Sequence, residues 1–316
     1  MKKRILITGC AGFIGFNFSN TLGINFDVVG IDNLTNKSQG ILKKDRLNIL
    51  KKRPNFKFLK IDISNIRLLN ELFKKKKFDY VVNLAAIAGV RNSIKNPDIY
   101  LKTNVIGFYN IYKLSLKYKV KLLVFGSSSS VYGDEKNKES NYPISFYAAT
   151  KKCNEIISHS FKNFSKTKIV GLRFFTVYGP WGRPDMAVYK FTNKIYNNKT
   201  IDIFNYGIHG RDFSYIDDVV KSINIIISNF KKLPKYKIFD IGKGKTDKLS
   251  TLINLLSFYT KRKIKIKKIG KQSGDVENTK ADMKSFNTFF KYTPKTSLKD
   301  GINKFINWYK DYHNIK

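Results

Sequence analysis

The stretch Ile5-Leu-Ile-Thr-Gly-Cys-Ala-Gly-Phe-Ile-Gly15 decides the fold of this 316-residue chain. Its first residues, Ile5–Thr8, predict a short strand, and a GxxGxxG turn follows at once and opens a helix. Gly9 permits the tight turn, Gly12 lets a phosphate approach the backbone, and Gly15 lets helix and strand pack closely. Because a helix N-terminus offers N–H groups and a positive dipole end to a pyrophosphate, the stretch predicts a dinucleotide site.

Short apolar runs alternate with longer amphipathic segments through the first half of the chain. Most runs are nearly continuous in Val, Ile, Leu and Phe, which is typical of parallel strands covered on both faces. The alternation predicts an α/β fold with a Rossmann-type, doubly wound parallel sheet. The predicted strands are Ile5–Thr8, Asp27–Ile31, Phe56–Ile61, Tyr80–Leu84, Leu122–Phe125 and Ile169–Leu172. The predicted helices lie near Phe13–Leu22, Ile66–Lys74, Val105–Tyr118 and Tyr147–Phe164.

The pattern changes after about Phe175, where Gly, Pro and Asn become frequent and short strands mix with helices. We therefore expect residues 1–175 to form the dinucleotide-binding domain, rejoined by about 211–245. Residues 176–316 are expected to form a smaller mixed α/β substrate lobe interleaved with it. Its predicted helices lie near Met186–Asn197, Asp217–Ser228, Ser250–Tyr259 and Leu298–Tyr312.

The composition excludes several classes of protein. With 42 % hydrophobic and 14 % aromatic residues the chain can bury a large core, which excludes a disordered protein. No apolar run approaches the roughly 18–20 residues of a membrane span, so we expect a cytoplasmic protein without a membrane partner. The two cysteines, Cys10 and Cys153, have no CxxC spacing, and we predict neither a disulfide framework nor a metal site.

The charge is strongly basic, with 60 Lys and Arg against 23 Asp and Glu and a formal net charge of +37. Such a charge points first to a polyanionic partner. Only nine of the 60 basic residues are Arg, however, and a dedicated nucleic-acid surface uses Arg forks and concentrates its charge. The densest runs, Lys74–Lys77 and Lys261–Lys268, are typical of a helix end and a solvent-facing strand. We interpret the charge as a lysine-rich ordinary surface and expect no nucleic-acid partner.

Two acidic residues end predicted strands of the first half. Asp32 ends the second strand, where a carboxylate can accept both hydroxyls of a ribose. Because that carboxylate would repel a 2′-phosphate, the sequence favours NAD over NADP. Asp62 and Ile63 close the third strand, where an adenine would lie; an Asp that caps the next helix is an equally good interpretation.

Hydroxyl side chains and a Tyr/Lys pair follow the fifth predicted strand. The strand ends in Gly126-Ser-Ser-Ser-Ser130, and side chains at such strand ends face the crevice of a doubly wound sheet. Tyr147 and Lys151 are four residues apart and so share one helical face. A nearby ammonium stabilises a phenolate and lowers the tyrosine pKa from about 10 toward the range of a general base.

Together with Asn83-Leu-Ala-Ala86 and Arg211-Asp-Phe-Ser-Tyr-Ile-Asp-Asp218, these features resemble the extended short-chain dehydrogenase/reductases, the NAD-dependent nucleotide-sugar epimerases and dehydratases. The resemblance covers essentially the whole chain. It implies that Tyr147 is the acid/base, that Lys151 holds its pKa down and binds the nicotinamide ribose, and that Ser128 bonds to the sugar oxygen. The implied NAD-binding residues are Gly9, Gly12, Phe13, Ile14, Gly15, Asp32, Asn33, Asp62, Ile63, Ala85 and Lys151.

The residues just before Val131 distinguish the reactions of this family. Sugar-nucleotide 4,6-dehydratases carry an Asp-Glu pair there and UDP-glucuronate decarboxylases carry a Glu, whereas this chain has Ser129 and Ser130. Hydroxyls cannot supply carboxylate acid/base chemistry at neutral pH. We therefore predict a 4-epimerase that removes hydride at C4, lets the 4-keto sugar rotate and returns the hydride. Ser129 and Ser130 are expected to assist Ser128.

Two further segments indicate the sugar. Arg173-Phe-Phe-Thr-Val-Tyr-Gly-Pro-Trp-Gly-Arg-Pro-Asp-Met186 and Ala88-Gly-Val-Arg-Asn-Ser93 resemble the UDP-glucuronate 4-epimerases. The resemblance implies that Thr176 and Arg183 hold the C6 carboxylate, and a charge-assisted bond of this kind contributes roughly 1.5–3 kcal/mol. It also implies contacts of the nucleotide-sugar with Arg91, Arg211 (on the diphosphate) and Asp275.

Other functions stay open at this point. A UDP-glucose or UDP-N-acetylhexosamine 4-epimerase shares the same chemistry. A catalytically inactive NAD-binding regulator or RNA-associated protein would use the positive charge, although it has no need of an intact Tyr147, Lys151 and Ser128. The resemblance also implies a homodimer through a four-helix bundle, for which Val105–Tyr118 and Tyr147–Phe164 are the candidates.

Overall fold

The protein is described by a computed structural model over residues 2–35, 40–133, 142–270 and 278–316. The chain divides into two compact units. The first comprises Met1–Phe174 and Val220–Phe239, and the second comprises Phe175–Val219 and Asp240–Lys316. The segment that returns to the first unit is thus shorter than the predicted 211–245. The assignment of the second unit to substrate binding stays a prediction.

The first unit is built on a seven-stranded sheet in the order β11-β6-β5-β4-β1-β2-β3. Every pair from β3 across to β6 is parallel, which confirms the Rossmann-type fold. The order reverses between β1 and β4, where ligands bind in such sheets. The strands are β1 (Lys3–Thr8), β2 (Phe26–Asp32), β3 (Phe56–Lys60), β4 (Tyr80–Asn83), β5 (Leu122–Ser128), β6 (Lys168–Phe174) and β11 (Tyr236–Ile241).

Helices cover both faces of this sheet, as a parallel sheet requires. The core under them includes Leu6, Val81 and Leu123 of adjacent strands, packed with Phe73 and Ile111 of two helices. The helices are α1 (Phe13–Thr21), α2 (Gly40–Lys51), α3 (Ile66–Lys75), α4 (Val90–Lys95), α5 (Pro97–Tyr100), α6 (Phe108–Lys117) and α7 (Phe146–Ser160). A π-helical segment (Leu101–Gly107) joins α5 to α6, and α9 (Ile216–Ser228) runs from the second unit into the first.

All six predicted strands of the first half form, but three helices between them, α2, α4 and α5, were not predicted. In α2 the buried face carries Leu42, Arg46, Leu47 and Leu50. An arginine within the buried stripe interrupts the apolar period by which an amphipathic helix is recognised. The predicted helix Val105–Tyr118 is also divided, since its first residues belong to the π-helical segment.

The second unit combines short strands with a helical layer. Aromatic side chains of two helices form much of its core, with Tyr189 packed against Phe305 and Tyr309 at ring-centroid distances of 6.1 and 5.2 Å. The strands are β7 (Thr176–Tyr178), β8 (Ile201–Ile203), β9 (Gly210–Arg211), β10 (Phe213–Tyr215), β12 (Asp247–Lys248) and β13 (Ile266–Lys268). The helices are α8 (Ala187–Tyr196), α10 (Leu249–Thr260), α11 (Lys284–Phe290) and α12 (Leu298–Tyr312).

The run Lys74–Lys77 lies at a helix end, as predicted, whereas only the last three residues of the run Lys261–Lys268 form a strand. Lys74 and Lys75 are the last residues of α3, and the three residues of β13 are exposed. Among the described residues, no helix is long and apolar enough to cross a bilayer.

Candidate active site

The glycine turn between β1 and α1 is shaped by steric limits on its backbone. Gly9 has φ +68°, and a Cβ there would lie 2.8 Å from the amide nitrogen of Ala85. A Cβ on Gly15 would lie 2.2 Å from the Gly9 carbonyl oxygen. At Gly12, the N-cap of α1, a Cβ would lie 3.0 Å from the Gly9 carbonyl oxygen and would meet no other described residue within 4 Å. The turn therefore keeps its backbone open toward the helix N-terminus, the arrangement that accepts a pyrophosphate. Phe13 and Ile14 begin that helix.

Asp32 is the last residue of β2 and is buried, with 5 % of its surface exposed. The backbone N–H of Ala11 donates to one carboxylate oxygen at 3.2 Å, and that of Leu34 donates to the other at 2.8 Å. These bonds fix the carboxylate at the carboxyl end of β2, beside the glycine turn. The structure thus places it where the ribose interpretation requires it.

Helix α2 supplies two basic side chains to this end of the sheet. The Lys43 ammonium lies 3.0 Å from the Asp32 carboxylate and also donates to the Thr35 carbonyl at 2.9 Å. The buried Arg46 guanidinium donates to the Ala11 carbonyl at 3.0 Å. Because the sequence pattern did not reveal α2, neither residue was predicted. The two residues hold Asp32 and the glycine turn in place, although neither belongs to the glycine motif.

Asn33 and Asp62 lie side by side in the loops after β2 and β3. The Asn33 amide donates to the Asp62 carboxylate at 2.7 Å, and the Ser64 N–H donates to its other oxygen at 2.8 Å. Burial alone would raise the pKa of Asp62, but these hydrogen bonds outweigh it and lower that pKa. The alternative in which Asp62 caps the next helix is wrong, because the N-cap of α3 is Asn65. Ile63 is buried beside Asp62.

Hydrogen bonds connect two of the serines at the end of β5. Ser128 ends the strand, is 8 % exposed, and accepts the backbone N–H of Ser130 at 3.2 Å. Its Oγ also donates to Ser130 Oγ at 3.1 Å. Ser129 and Ser130 begin a 3-10 turn and are half-buried. The structure therefore joins the Ser128 and Ser130 hydroxyls at the carboxyl end of the strand, with Ser129 between them in the chain.

Helix α7 holds the Tyr/Lys pair against this strand end. Lys151 is 6 % exposed, and its ammonium donates to the Gly126 carbonyl of β5 at 2.8 Å. Burial lowers the pKa of Lys151 to about 8, and the negative charge of Glu155 opposes that shift. Tyr147 lies one turn earlier and is half-buried. The structure thus places the ammonium on the same helical face as the phenol.

Tyr147 is held by the two short helices after β4. The Ser93 hydroxyl accepts the Tyr147 N–H at 3.1 Å, and the Tyr100 ring packs edge-on against the Tyr147 ring at 6.3 Å. The Tyr100 hydroxyl in turn bonds to the Gly89 carbonyl at 2.9 Å. Arg91, predicted to contact the nucleotide-sugar, is exposed on the same helix as Ser93.

A buried charged network that was not predicted lies directly behind these residues. The Glu155 carboxylate accepts the Ser127 hydroxyl at 2.7 Å and the Arg173 guanidinium at 2.9 and 2.7 Å. The Arg173 guanidinium also lies 4.6 Å from the centre of the Tyr132 ring. Since Ser127 precedes Ser128, the network ties the serine segment to the helix that carries Lys151. Its one sequence signal is the four-residue spacing from Lys151 to Glu155.

The remaining predicted residues belong to the second unit. Thr176 begins β7, and its N–H donates to the Asp212 carbonyl at 3.0 Å. Arg211 lies in β9, where its guanidinium donates to the Gly210 carbonyl at 3.0 Å. Arg183 forms an ion pair with Asp185 in its own loop. Asp275 lies outside the described residues, so its predicted contact stays a prediction.

Asp212, beside Arg211, is a second residue that sequence reasoning missed. Its carboxylate is fully buried and accepts the N–H groups of Lys243, Gly244 and Ala281 at 2.7–3.1 Å. A carboxylate with three backbone donors is tightly held. Asp212 therefore fixes the loop after β11 next to the strand that carries Arg211.

The glycine turn, the acid that ends β2 and the helix that carries Tyr147 and Lys151 together define a dinucleotide-dependent enzyme. The model of the NAD dependent epimerase/dehydratase family matches residues 5–242. The chain belongs to that family. Its cofactor is NAD, as predicted, and the residues of the turn together with Asp32 fit that group.

Individual relatives agree with this assignment. The chain is 42 % identical to the uncharacterized protein MJ1055 of Methanocaldococcus jannaschii, over 97 % of this chain and 96 % of that protein. It is 37 % identical to the UDP-glucuronate 4-epimerase of Thermodesulfobacterium geofontis, again over 97 % and 96 %. Among solved structures, it is similar to the UDP-glucuronic acid 4-epimerase from Bacillus cereus in complex with UDP-glucuronic acid and NAD, with a TM-score of 0.91, 30 % identity, and coverage of 98 % and 99 %. The predicted family, fold, cofactor and epimerase activity are thereby confirmed.

Proposed function

We propose that this enzyme is a nucleotide-sugar 4-epimerase that interconverts UDP-glucuronate and UDP-galacturonate. The observation that carries the proposal is the pair of hydrogen-bonded hydroxyls, Ser128 and Ser130, at the end of the strand that the buried Lys151 contacts. The named activity of the Thermodesulfobacterium relative and the ligand of the Bacillus structure support this substrate.

Proton transfer is assigned to Tyr147. As a phenolate it takes the proton of the C4 hydroxyl while that carbon is oxidised, and it returns the proton when the carbon is reduced on its other face. NAD, when bound, supplies the acceptor and donor of hydride. Lys151 stabilises the phenolate because its ammonium is held one helical turn away, and Ser128 donates to the sugar oxygen.

The same site accounts for a reaction at C4 alone, in which the sugar loses neither water nor CO₂. Elimination of water needs an additional acid and base next to the sugar. Ser129 and Ser130 stand at the positions where the dehydratases and decarboxylases have carboxylates. Because a serine hydroxyl does not act as a general acid or base at neutral pH, the 4-keto sugar is expected to be reduced again without a second reaction.

Binding of the sugar carboxylate is assigned to Thr176 and Arg183. An arginine fork and a hydroxyl suit a carboxylate, and holding it in the ring plane would discourage loss of CO₂ from the β-keto acid. We assign the diphosphate to Arg211 and further nucleotide-sugar contacts to Arg91 and Asp275.

An uncharged hexose is a second candidate substrate, and one observation favours it. Arg183 is paired with Asp185, so its charge is balanced within the chain. A UDP-glucose or UDP-N-acetylhexosamine could therefore bind without leaving that arginine unpaired.

Incubation with UDP-glucuronate in D₂O, followed by NMR, tests the proposed reaction. We expect UDP-galacturonate, no loss of CO₂ and no deuterium at C4, because the transferred hydrogen does not exchange with solvent. A pentose product that carries deuterium at C5 would show a decarboxylase. Turnover of UDP-glucose alone would favour the second candidate, and tight, salt-dependent RNA binding without any turnover would favour the RNA-associated alternative.

Assembly and location stay predictions. We propose a homodimer through α6 and α7, which sedimentation at micromolar protein concentration tests. A cytoplasmic location is proposed from the nucleotide-sugar substrate, and cell fractionation tests it.

A further inference from the structure

Asp185 occupies the arginine fork that we assign to the substrate. Arg183 Nε donates to one Asp185 oxygen at 3.0 Å, and Nη2 donates to the other at 2.5 Å. This is the two-bond geometry by which arginine binds any carboxylate, including a sugar carboxylate. The Arg183 side chain is 23 % exposed, and that of Asp185 is 48 % exposed.

The loop that carries the pair is held in place by its own anchors. Trp181 has φ +62° and packs against Trp308 and Tyr312 of α12 at 5.4 and 5.1 Å. After it, the Met186 N–H donates to the Arg183 carbonyl at 3.1 Å and closes a turn before α8. The two charged side chains therefore project from an anchored turn.

The exposure of Asp185 means that the pair can open at small cost. A surface ion pair contributes about 0–1 kcal/mol, and the two-bond geometry places this pair at the upper end of that range. Water solvates the exposed Asp185 carboxylate almost as well as Arg183 does. A displaced Asp185 would be solvated again, whereas Arg183 would keep a carboxylate partner if the substrate supplied one. One edge of a guanidinium holds one carboxylate at a time.

We propose that Asp185 is an intramolecular substitute for the sugar carboxylate and sets the selectivity of this enzyme between charged and uncharged hexoses. The proposal rests on the assignment of Arg183 to the uronate carboxylate. UDP-glucuronate displaces Asp185 from Arg183, so part of its binding free energy is lost in that exchange. With an uncharged hexose Asp185 stays in place and Arg183 remains paired.

The test compares the binding of two sugar nucleotides to variants of the NAD-loaded protein. Calorimetry in a Tyr147→Phe background gives dissociation constants without conversion of the sugar. For Asp185→Asn we expect the Kd of UDP-glucuronate to fall about three- to fivefold, the equivalent of an exposed ion pair. The Kd of UDP-glucose should stay the same or rise, so the ratio of the two constants changes. Asp185→Glu should keep the wild-type ratio.

The control is Asp202→Asn. Asp202 pairs with Lys194 at 2.8 Å in the same unit, and the two side chains are 37 % and 24 % exposed. This variant changes the net charge equally and should leave the ratio unchanged, which separates the local exchange from a general effect of charge.

Two results would overturn the proposal. If Asp185→Asn weakens UDP-glucuronate binding or leaves it unchanged, Asp185 orients Arg183 permanently and does not compete with the substrate. If the parent protein binds UDP-glucose but no UDP-glucuronate, the proposed substrate is wrong. The proposed displacement of Asp185 by the sugar carboxylate is then wrong as well. The first result leaves the proposed function intact, so the two failures are distinguishable.

Discussion

Lys151 combines a charge with nearly complete burial, and its role depends on pH. Its pKa is lowered to about 8, so the ammonium loses its proton as the pH rises through that value. A neutral amine no longer stabilises the Tyr147 phenolate. We therefore expect kcat to fall above about pH 8, as measured by epimer formation between pH 6 and 10. A kcat that stays constant up to pH 10 would contradict this role.

The same pKa makes the stability of the fold depend on pH. The unfolded chain keeps the Lys151 proton up to its ordinary pKa of 10.5, whereas the folded chain releases it near 8. Since the unfolded state binds more protons between these values, this residue makes the fold more stable as the pH rises. Relative to Lys151→Met, the wild type should gain about 2 kcal/mol in free energy of unfolding between pH 8 and 10. Urea titrations of both proteins at several pH values measure that difference, and a pH-independent difference would contradict it.

At the scale of elements, the contact between β1 and α1 depends on the absence of a side chain. A Cβ on Gly15 would lie 2.2 Å from a backbone oxygen, which cannot move without opening the turn. We expect Gly15→Ala to abolish NAD binding, measured by the nucleotide content of the purified protein. Gly40→Ala at the start of α2 is the control, because a Cβ there meets none of the described residues within 4 Å. Full NAD occupancy of Gly15→Ala would contradict the steric argument.

The ion pair between β6 and α7 should contribute more to stability than a surface pair. Arg173 and Glu155 are 18 % and 5 % exposed, and removal of one partner leaves a buried charge. We expect Arg173→Met to lower the free energy of unfolding by about 3 kcal/mol, measured in urea. Asp27→Asn removes the partner of Arg4, and these two side chains are 37 % and 33 % exposed. This change should lower the free energy of unfolding by less than about 1 kcal/mol. Equal effects of the two changes would show that the network is not buried in solution.

Much of the fold could be predicted at this scale, because each central strand has a local pattern of apolar residues. The strands β1, β4 and β5 are covered on both faces and therefore appear as continuous apolar runs. The pattern failed in α2, where a charged residue is buried. Arg46 sits in the buried face of α2 because it bonds to the glycine turn, a partner distant in the sequence.

At the scale of the whole molecule, the site also combines residues that local sequence places with contacts that depend on packing. Ser128, Tyr147 and Lys151 could be predicted, since a strand end and a helical spacing place them. Glu155 and Arg173 could not be joined from the sequence, because their contact depends on how α7 packs against β6. Asp185 was not predicted as a partner of Arg183, since two residues of separation in a loop do not determine side-chain contact.

The net charge of +37 acts through the whole molecule, and its effect is measurable. A positive field raises the local concentration of an anionic sugar nucleotide, and salt screens it over about 10 Å at 0.1 M. We expect kcat/KM for UDP-glucuronate to fall several-fold between about 20 and 200 mM salt, while kcat stays constant. The double variant Lys267→Glu/Lys268→Glu, on the exposed strand β13, should show a weaker salt dependence because it carries less positive charge. A kcat/KM that does not vary with salt would show that the lysines take no part in substrate capture, and would leave solubility as their role.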